Sequence, residues 1–325
     1  MLPRCLRRSA AFALLAAGML GGPAVAQDYP QRAVRVLVSF PAGGTTDILA
    51  RLVSDGLARS LGQPFVVENR PGAGTAIAAQ ALARAAPDGH SLLVTTGSTT
   101  SFIPLLHANP GYTPEQLTGV AMIGRSPLVL DVPANAPFRS VAELVGFGRA
   151  NPGRLNAATQ GAGAISHLMA ELFATSTGAS LTAVHFAGSA PGLVATIAGQ
   201  VDLFFDGVAS SAPLISTGRV RGLGVSSERR MPNLPDVPTM AEQGFPAVTG
   251  YAWYAVLAPA GTPAAAITRL NAEINAIIQT REVQERLLRD GAEPNAMGVA
   301  ALNQFIGTDR EAWRGVITPL NIRMD

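Results

Sequence analysis

Val34-Arg35-Val36-Leu37-Val38-Ser39-Phe40, followed at once by Pro41-Ala42-Gly43-Gly44-Thr45-Thr46-Asp47, decides the fold. The first seven residues are rich in β-branched and apolar side chains and read as a buried strand. The next seven form a turn, after which Ile48, Leu49, Leu52, Val53 and Leu57 recur at helical spacing. A strand feeding a helix through a glycine pair is the first half of a βαβ unit.

The same alternation continues outward. Phe65–Glu68 reads as a second strand, Thr75–Ala85 as a helix and Leu92–Thr95 as a third strand, which implies a largely parallel sheet. Near Gly119–Val132 the pattern changes to a long extended run, Val120–Ile123 and then Leu128–Leu130, able to leave one sheet and enter another. A second α/β series follows: helix Val141–Arg149, strand Leu155–Ala158, helix Ile165–Thr177, strand Leu181–His185, helix Gly192–Ala198, strand Val201–Phe205, a short helix near Ala209–Ile215 and strand Arg221–Val225. The chain returns through an extended Tyr251–Ala258 and closes with helices at Pro263–Gln279, Arg281–Asp290 and about Ala300–Val316. Two α/β lobes joined by two crossing segments make a hinged clamp; a single larger doubly wound domain is the alternative that the pattern leaves open. In the clamp, residues 27–127 plus 252–325 form lobe 1 and residues 128–251 form lobe 2.

Residues 1–26 read as a cleaved signal peptide. Arg4, Arg7 and Arg8 precede an apolar Ala10–Leu20, and Ala24-Val25-Ala26 supplies a small-residue cleavage site, so the mature chain is expected to begin at Gln27 in the periplasm. The apolar stretch falls short of the roughly 20 residues that a membrane span needs. Removing it changes the charge argument. The 325 residues carry 24 basic groups, all Arg, and 22 acidic ones; three of the Arg and none of the acids lie in residues 1–26, leaving a net charge of −1. The pI near 9.1 therefore reports the leader and gives a nucleic-acid partner no support. Cys5, the one cysteine, also lies in the leader, so the mature chain has no thiolate chemistry and no disulfide.

Chemistry is expected in the loops beyond the carboxyl ends of strands, where helix N-termini converge. Phe40, Pro41, Ala42, Gly43, Gly44, Thr45, Thr46 and Asp47 form the first such loop. Its glycines let backbone N–H groups approach a ligand, and the threonines and helix end add donors suited to an anion. A carboxylate at Asp47 would repel an anionic ligand, so it either serves the helix N-terminus or meets an ammonium group or water on the ligand. Thr96, Gly97, Ser98 and Thr99 follow the third strand as a hydroxyl-rich loop, a candidate wall or a simple capping loop. Gln160, Gly161, Ala162 and Gly163 precede the helix that carries Ser166 and His167. Gly188, Ser189, Ala190 and Pro191 start another helix, and Asp206 ends a strand that points into the same region if the strands are parallel.

Other constellations do not occur. The four histidines, His90, His107, His167 and His185, form no HxxxH or HExxH pattern, so no metal site is expected. There is no GxSxG elbow, no GxGxxG fingerprint and no P-loop ending, so neither catalysis nor a cofactor is expected. A binding protein is the leading reading, with a periplasmic enzyme as the weaker one.

The ordered motifs resemble the Bug family of periplasmic receptors, the substrate-binding proteins of tripartite tricarboxylate transporters. The matching stretches are Tyr29-Pro30, Phe40–Asp47, Val67-Glu68-Asn69-Arg70-Pro71-Gly72-Ala73-Gly74, Ala86–Gly89, Ser166-His167-Leu168, Gly188–Pro191, Gly199–Asp202, Leu234–Thr239 and Leu257–Pro263. The resemblance implies a type II-like Venus-flytrap that closes, as a monomer, on a small organic carboxylate held by backbone amides and water. It also implies delivery to a membrane permease of the tripartite tricarboxylate type; a carboxylate sensor signalling to a membrane kinase is the alternative. Two departures stand out. Ala42 replaces a frequent Pro, and Phe186 and Ala187 stand where the family often has Tyr and Lys or Arg, which suggests a ligand with fewer polar groups on that side, a monocarboxylate or aromatic acid.

Overall fold

The computed structural model describes residues 29–289 and 291–320; the expected signal peptide and its cleavage point lie outside the described residues. The expected α/β alternation is present. Strand β1 (Val34–Val38) leads into helix α1 (Thr45–Leu61), β2 (Phe65–Asn69), α2 (Ala76–Ala83), β3 (Ser91–Thr96) and α3 (Ile103–Leu106). Then come β4 (Leu117–Pro133), α4 (Val141–Ala150), β5 (Leu155–Thr159), α5 (Ile165–Thr177), β6 (Leu181–His185), α6 (Ser189–Ile197), β7 (Leu203–Gly207), α7 (Val208–Ser216) and β8 (Val220–Val225). The C-terminal part adds β9 (Tyr251–Pro259), α8 (Ala264–Gln279), α9 (Arg281–Arg289), β10 (Glu293–Pro294) and α10 (Val299–Leu320). None of the described helices is long and apolar enough to cross a membrane.

The sheet is mixed, which corrects the expectation of a largely parallel one. Its strands run in the order β2-β1-β3-β9-β4-β7-β5-β6, with β8 and β10 also paired to β4. Only the two wings are parallel: β1 with β2 and β3, and β5 with β6 and β7. The centre is antiparallel because β9 returns from the far side of the chain and lies between β3 and β4. Sequence separation alone could not have placed it there.

Strand β4 joins the two wings. From Leu117 to Pro127 it pairs with β9; from Leu128 it pairs with β7 on one side, while Val129 onward pairs with β8 on the other. The change falls at Pro127, a residue with no N–H to give to a ladder. Two irregularities in the β4–β9 register, at Gly119/Ala121 and Met122/Gly124, bend the strand.

Packing follows the sequence periodicity. On α1, Leu49, Leu52, Val53 and Leu57 are buried, and Gly56 lies against Ile277 of α8, so the C-terminal helices cover the first wing. Asn271 of α8 donates to the carbonyl of Val120, and Asn303 of α10 exchanges hydrogen bonds with the backbone of Gly119. On α5, Ile165, Leu168, Met169 and Phe173 are buried as their spacing predicts, with Phe173 against Phe205 of β7.

Candidate functional site

Gly44 caps helix α1 and Ser189 opens helix α6, one from each wing, and the two N-termini meet. A Cβ built on Gly44 would lie 3.2 Å from the Ser189 Cβ. The first intrahelical bond of α1 runs from Ile48 to Gly44, so the N–H groups of Thr45, Thr46 and Asp47 have no acceptor within the helix. Those groups carry the positive end of the helix dipole. The seam is close elsewhere too. Gly188 has φ +138°, and a Cβ there would lie 2.5 Å from Pro41 Cδ; Gly74, at φ +62°, leaves room for the carbonyl of Ala162. Both positions therefore require glycine, for conformation and for space.

Two connected spaces lie along this seam. The inner one, only about 10 Å³ and so the size of a single water, is lined by Phe40, Gly44, Thr45, Thr46 and Thr96 from one side. Gln160, Ile165 and Ser189 face them, with Ala252 and Tyr254 of β9 at the back. The outer one is a cleft of about 650 Å³, within the usual range for small-molecule sites. Ser39, Phe40, Gly72, Ala73, Gly74, Thr75 and His107 form one wall, and Gln160, Gly161, Ala162, His185, Phe186 and Ala187 the other. Phe40 and Gln160 belong to both spaces.

The structure brings part of the expected set to these surfaces. Phe40, Gly44, Thr45, Thr46, Thr96, Gln160, Gly161, Ala162 and Ser189 line them directly. Pro41 and Gly188 meet at the rim, and Ala42 and Gly43 are exposed beside them. Ala190 and Pro191 are half-buried in the first turn of α6 and line neither space. The stretch after Thr96 is no open loop, because Ser98–Phe102 closes a π-helical turn. Gly97 packs on Trp253, and Ser98 and Thr99 are buried behind the wall. Thr99 bonds to Thr95 at 2.6 Å and to Thr75 at 2.8 Å, and Thr95 bonds to Ser39 at 2.9 Å, so a chain of hydroxyls fixes two lining residues from behind. Ser166 and His167 do similar work in the other wing. Ser166 Oγ accepts from Gln160 N at 2.7 Å, and His167 Nδ1 accepts from Gly163 N at 3.1 Å.

The two aspartates differ. Asp47 turns into its own loop and accepts from Gly43 N, Asn69 Nδ2 and Arg51 Nε, with an Arg51 ion pair at 3.0 Å. Burial alone would raise its pKa, but the bonds from Arg51, Asn69 and Gly43 outweigh that and hold it below the ordinary carboxylate value. Asp206 is fully buried behind the recess. It accepts from Gln160 Nε2 at 2.6 Å and from Ser189 and Ser210 Oγ at 2.5 Å each. Burial raises its pKa, and the serine and glutamine bonds offset that only in part.

Several residues of the walls and of the polar cluster behind them escaped the sequence reading. The Gly72–Thr75 segment was legible as another glycine-bearing loop after a strand. Its special feature is conformational: Ala73 and Thr75 have φ +45° and +109°, rare for residues with a Cβ and rarest for a β-branched one. Such strain is often held at functional sites. Asp131 had no signal, because it sits inside an apolar strand. It is fully buried, accepts from Ser211 Oγ at 2.5 Å through Oδ2, and its Oδ1 has no partner among the described residues. Burial pushes its pKa well above the usual value; the Ser211 bond works against this and the charge of Asp206 adds to it.

Two α/β wings hinged on shared central strands, with helix ends meeting at the seam, define a periplasmic-binding-protein fold. Residues 49–322 match the model of the tripartite tricarboxylate transporter family receptors, and the chain belongs to that family. It is 35% identical over 305 residues to protein BugT of Bordetella pertussis, covering 93% of this chain and 94% of that one. Among solved structures it is similar to an R. palustris protein with adipate (TM-score 0.87, 35% identity, 89% of this chain and 97% of that one). MatC from Rhodopseudomonas palustris with bound malate superimposes at TM-score 0.85 with 33% identity, over 89% of this chain and all of that one. The periplasmic binding protein BugD gives TM-score 0.87 at 31% identity, over 91% of this chain and all of that one.

Proposed function

We propose that this chain is an exported periplasmic receptor that captures a small organic carboxylate between two lobes, as a monomer and without transforming it, and delivers it to a tripartite tricarboxylate-type permease. The observation that carries the reading is the meeting of the α1 and α6 N-termini at the Gly44–Ser189 contact. A ligand carboxylate there would take backbone N–H donors from both lobes at once, so binding and closure become one event. Fixed backbone donors lose little entropy on binding, and a closed, dry seam strengthens each bond. Relatives with adipate and malate bound support the class of ligand. The lobes in this proposal are residues 27–127 plus 252–325 and residues 128–251. The change of β4 partners at Pro127/Leu128 and the start of β9 at Tyr251 support these bounds.

Within the site, Thr45, Thr46, Thr96, Gln160 and Ser189 would surround the carboxylate, and Asp206 would hold Gln160 and Ser189 in place. A thermal-shift screen against mono-, di-, tri- and aromatic carboxylates tests the reading. A ligand at a hundredfold excess over its dissociation constant adds about 2.7 kcal/mol and a clear rise in Tm. No shift with any acid sinks it.

A further inference from the structure

The outer cleft is lined by one imidazole from each wall, His107 after α3 and His185 at the end of β6. His185 Nδ1 lies 2.7 Å from Thr159 Oγ1, which itself accepts from Gly161 N at 3.3 Å. In the tautomer where Thr159 Oγ1 donates its hydrogen bond to Nδ1, the ring proton sits on Nε2 as the donor left for the cleft. Partial burial, then the neighbouring His167 ring at 4.9 Å, lowers the His185 pKa against a smaller opposing effect of Glu171, which favours the neutral ring. Across the cleft, His107 Nε2 is buried with no hydrogen-bond partner among the described residues. An orphaned buried polar atom is costly, and a hydrogen-bonding ligand group would relieve it. The described lining holds no Arg and no Lys, and Phe40 and Phe186 are its two aromatic hydrocarbon rings.

Resting on the carboxylate reading above, we propose that His107 and His185 are specificity-determining residues, selecting acids whose far end is an uncharged hydrogen-bonding group on an apolar or aromatic body. A second carboxylate would lose its hydration in a lining without a guanidinium or ammonium to balance it. A hydroxyl or carbonyl needs one donor or acceptor, and a neutral imidazole supplies either. The two phenylalanines suit a ring between the carboxylate and that group.

Isothermal titration of the chain lacking residues 1–26 with para-hydroxybenzoate, benzoate and adipate tests this, in the wild type and in His107→Ala, His185→Ala, His107→Gln and His185→Gln. Para-hydroxybenzoate should bind most tightly. Each alanine variant should weaken it about five- to tenfold, the worth of one hydrogen bond, while leaving benzoate unchanged. The glutamine variants keep a donor and acceptor and should recover part of the loss. They also carry the test if circular dichroism shows an alanine variant unfolded. Tightest binding of adipate, or an unchanged preference in the variants, overturns the histidine assignment alone. Binding of no acid in any form would overturn the carboxylate reading with it.

Discussion

Asp47 and Asp206 stand at the first turn of one helix and behind the first turn of another, on opposite sides of one seam, and they solve opposite problems. Asp47 is ionised, tied to Arg51, and spends its oxygens on keeping the Gly43–Gly44 turn in shape. Asp206 has no cationic partner among the described residues and gathers hydroxyl and amide donors, of which Gln160 and Ser189 line the recess. An identical side chain thus stiffens a loop in one wing and orients polar side chains in the other. For an anion-binding seam this division is economical: the nearer negative charge is neutralised by Arg51, and the deeper one is disfavoured by burial.

The comparison can be broken most severely where the walls touch. Gly44→Leu should abolish carboxylate binding, by a hundredfold or more in Kd, because its side chain must enter the space held by Ser189 while the backbone there (φ −87°) accepts any residue. Titration calorimetry alongside an unchanged far-UV spectrum checks it; retained affinity would remove the α1 end from the site. Asp206→Ala should come next. It strands Gln160 Nε2, while Ser189 and Ser210 keep each other and the Gly207 carbonyl, and should cost about 1–3 kcal/mol in stability by chemical denaturation, with affinity falling about tenfold.

A smaller effect of opposite sign is expected behind it. Asp131→Asn should raise Tm by a few degrees at neutral pH, since it replaces a fully buried acid whose Oδ1 has no partner. The folded-state pKa of Asp131 is raised, so its favourable contribution is complete below the unfolded carboxylate value and is lost as pH rises through the folded one. The variant's advantage should therefore vanish at acid pH and grow toward neutrality; an advantage independent of pH would show that Asp131 is not the titrating group. Asp47→Asn should be the mildest change, about 1 kcal/mol, because half of the Arg51 side chain is in solvent and screens the pair. Its pH dependence should run the other way: the Asp47 pKa is lowered, so its contribution is present above the unfolded value and fades as pH falls through the folded one. Melting curves across acid pH would separate the two slopes.

The sequence revealed some of this well. Helix Ile165–Thr177 falls where periodicity put it because it buries a single apolar face against the sheet, and strand Leu181–His185 falls where expected as the half-exposed edge strand beside β5. The helix N-termini were legible because strand–glycine–helix turns announce themselves locally. Strand β4 was legible as one long extended run able to pass between sheets, although Gly119, Gly124 and Pro127 interrupt its apolar pattern, and it is one strand paired first with β9 and then with β7 and β8. The two-residue β10 had no local signal at all, since it exists only through its register with Gly124 and Arg125. The same holds at the site. Gln160 and Ser189 stood in recognisable loops, whereas His107, Asp131 and Tyr254 reach the site or its surroundings through folding over long separations in sequence.

The shared strand has a consequence for how the molecule comes apart. Because β4 contributes hydrogen bonds to both wings and β9 lies between β3 and β4, neither wing has a complete sheet without segments distant in sequence. The two wings should therefore melt as one. Calorimetry should give a single endotherm, and a fragment ending near residue 127 should not fold independently. Refolding should be slow, governed by the late return of β9 across more than a hundred residues of intervening chain.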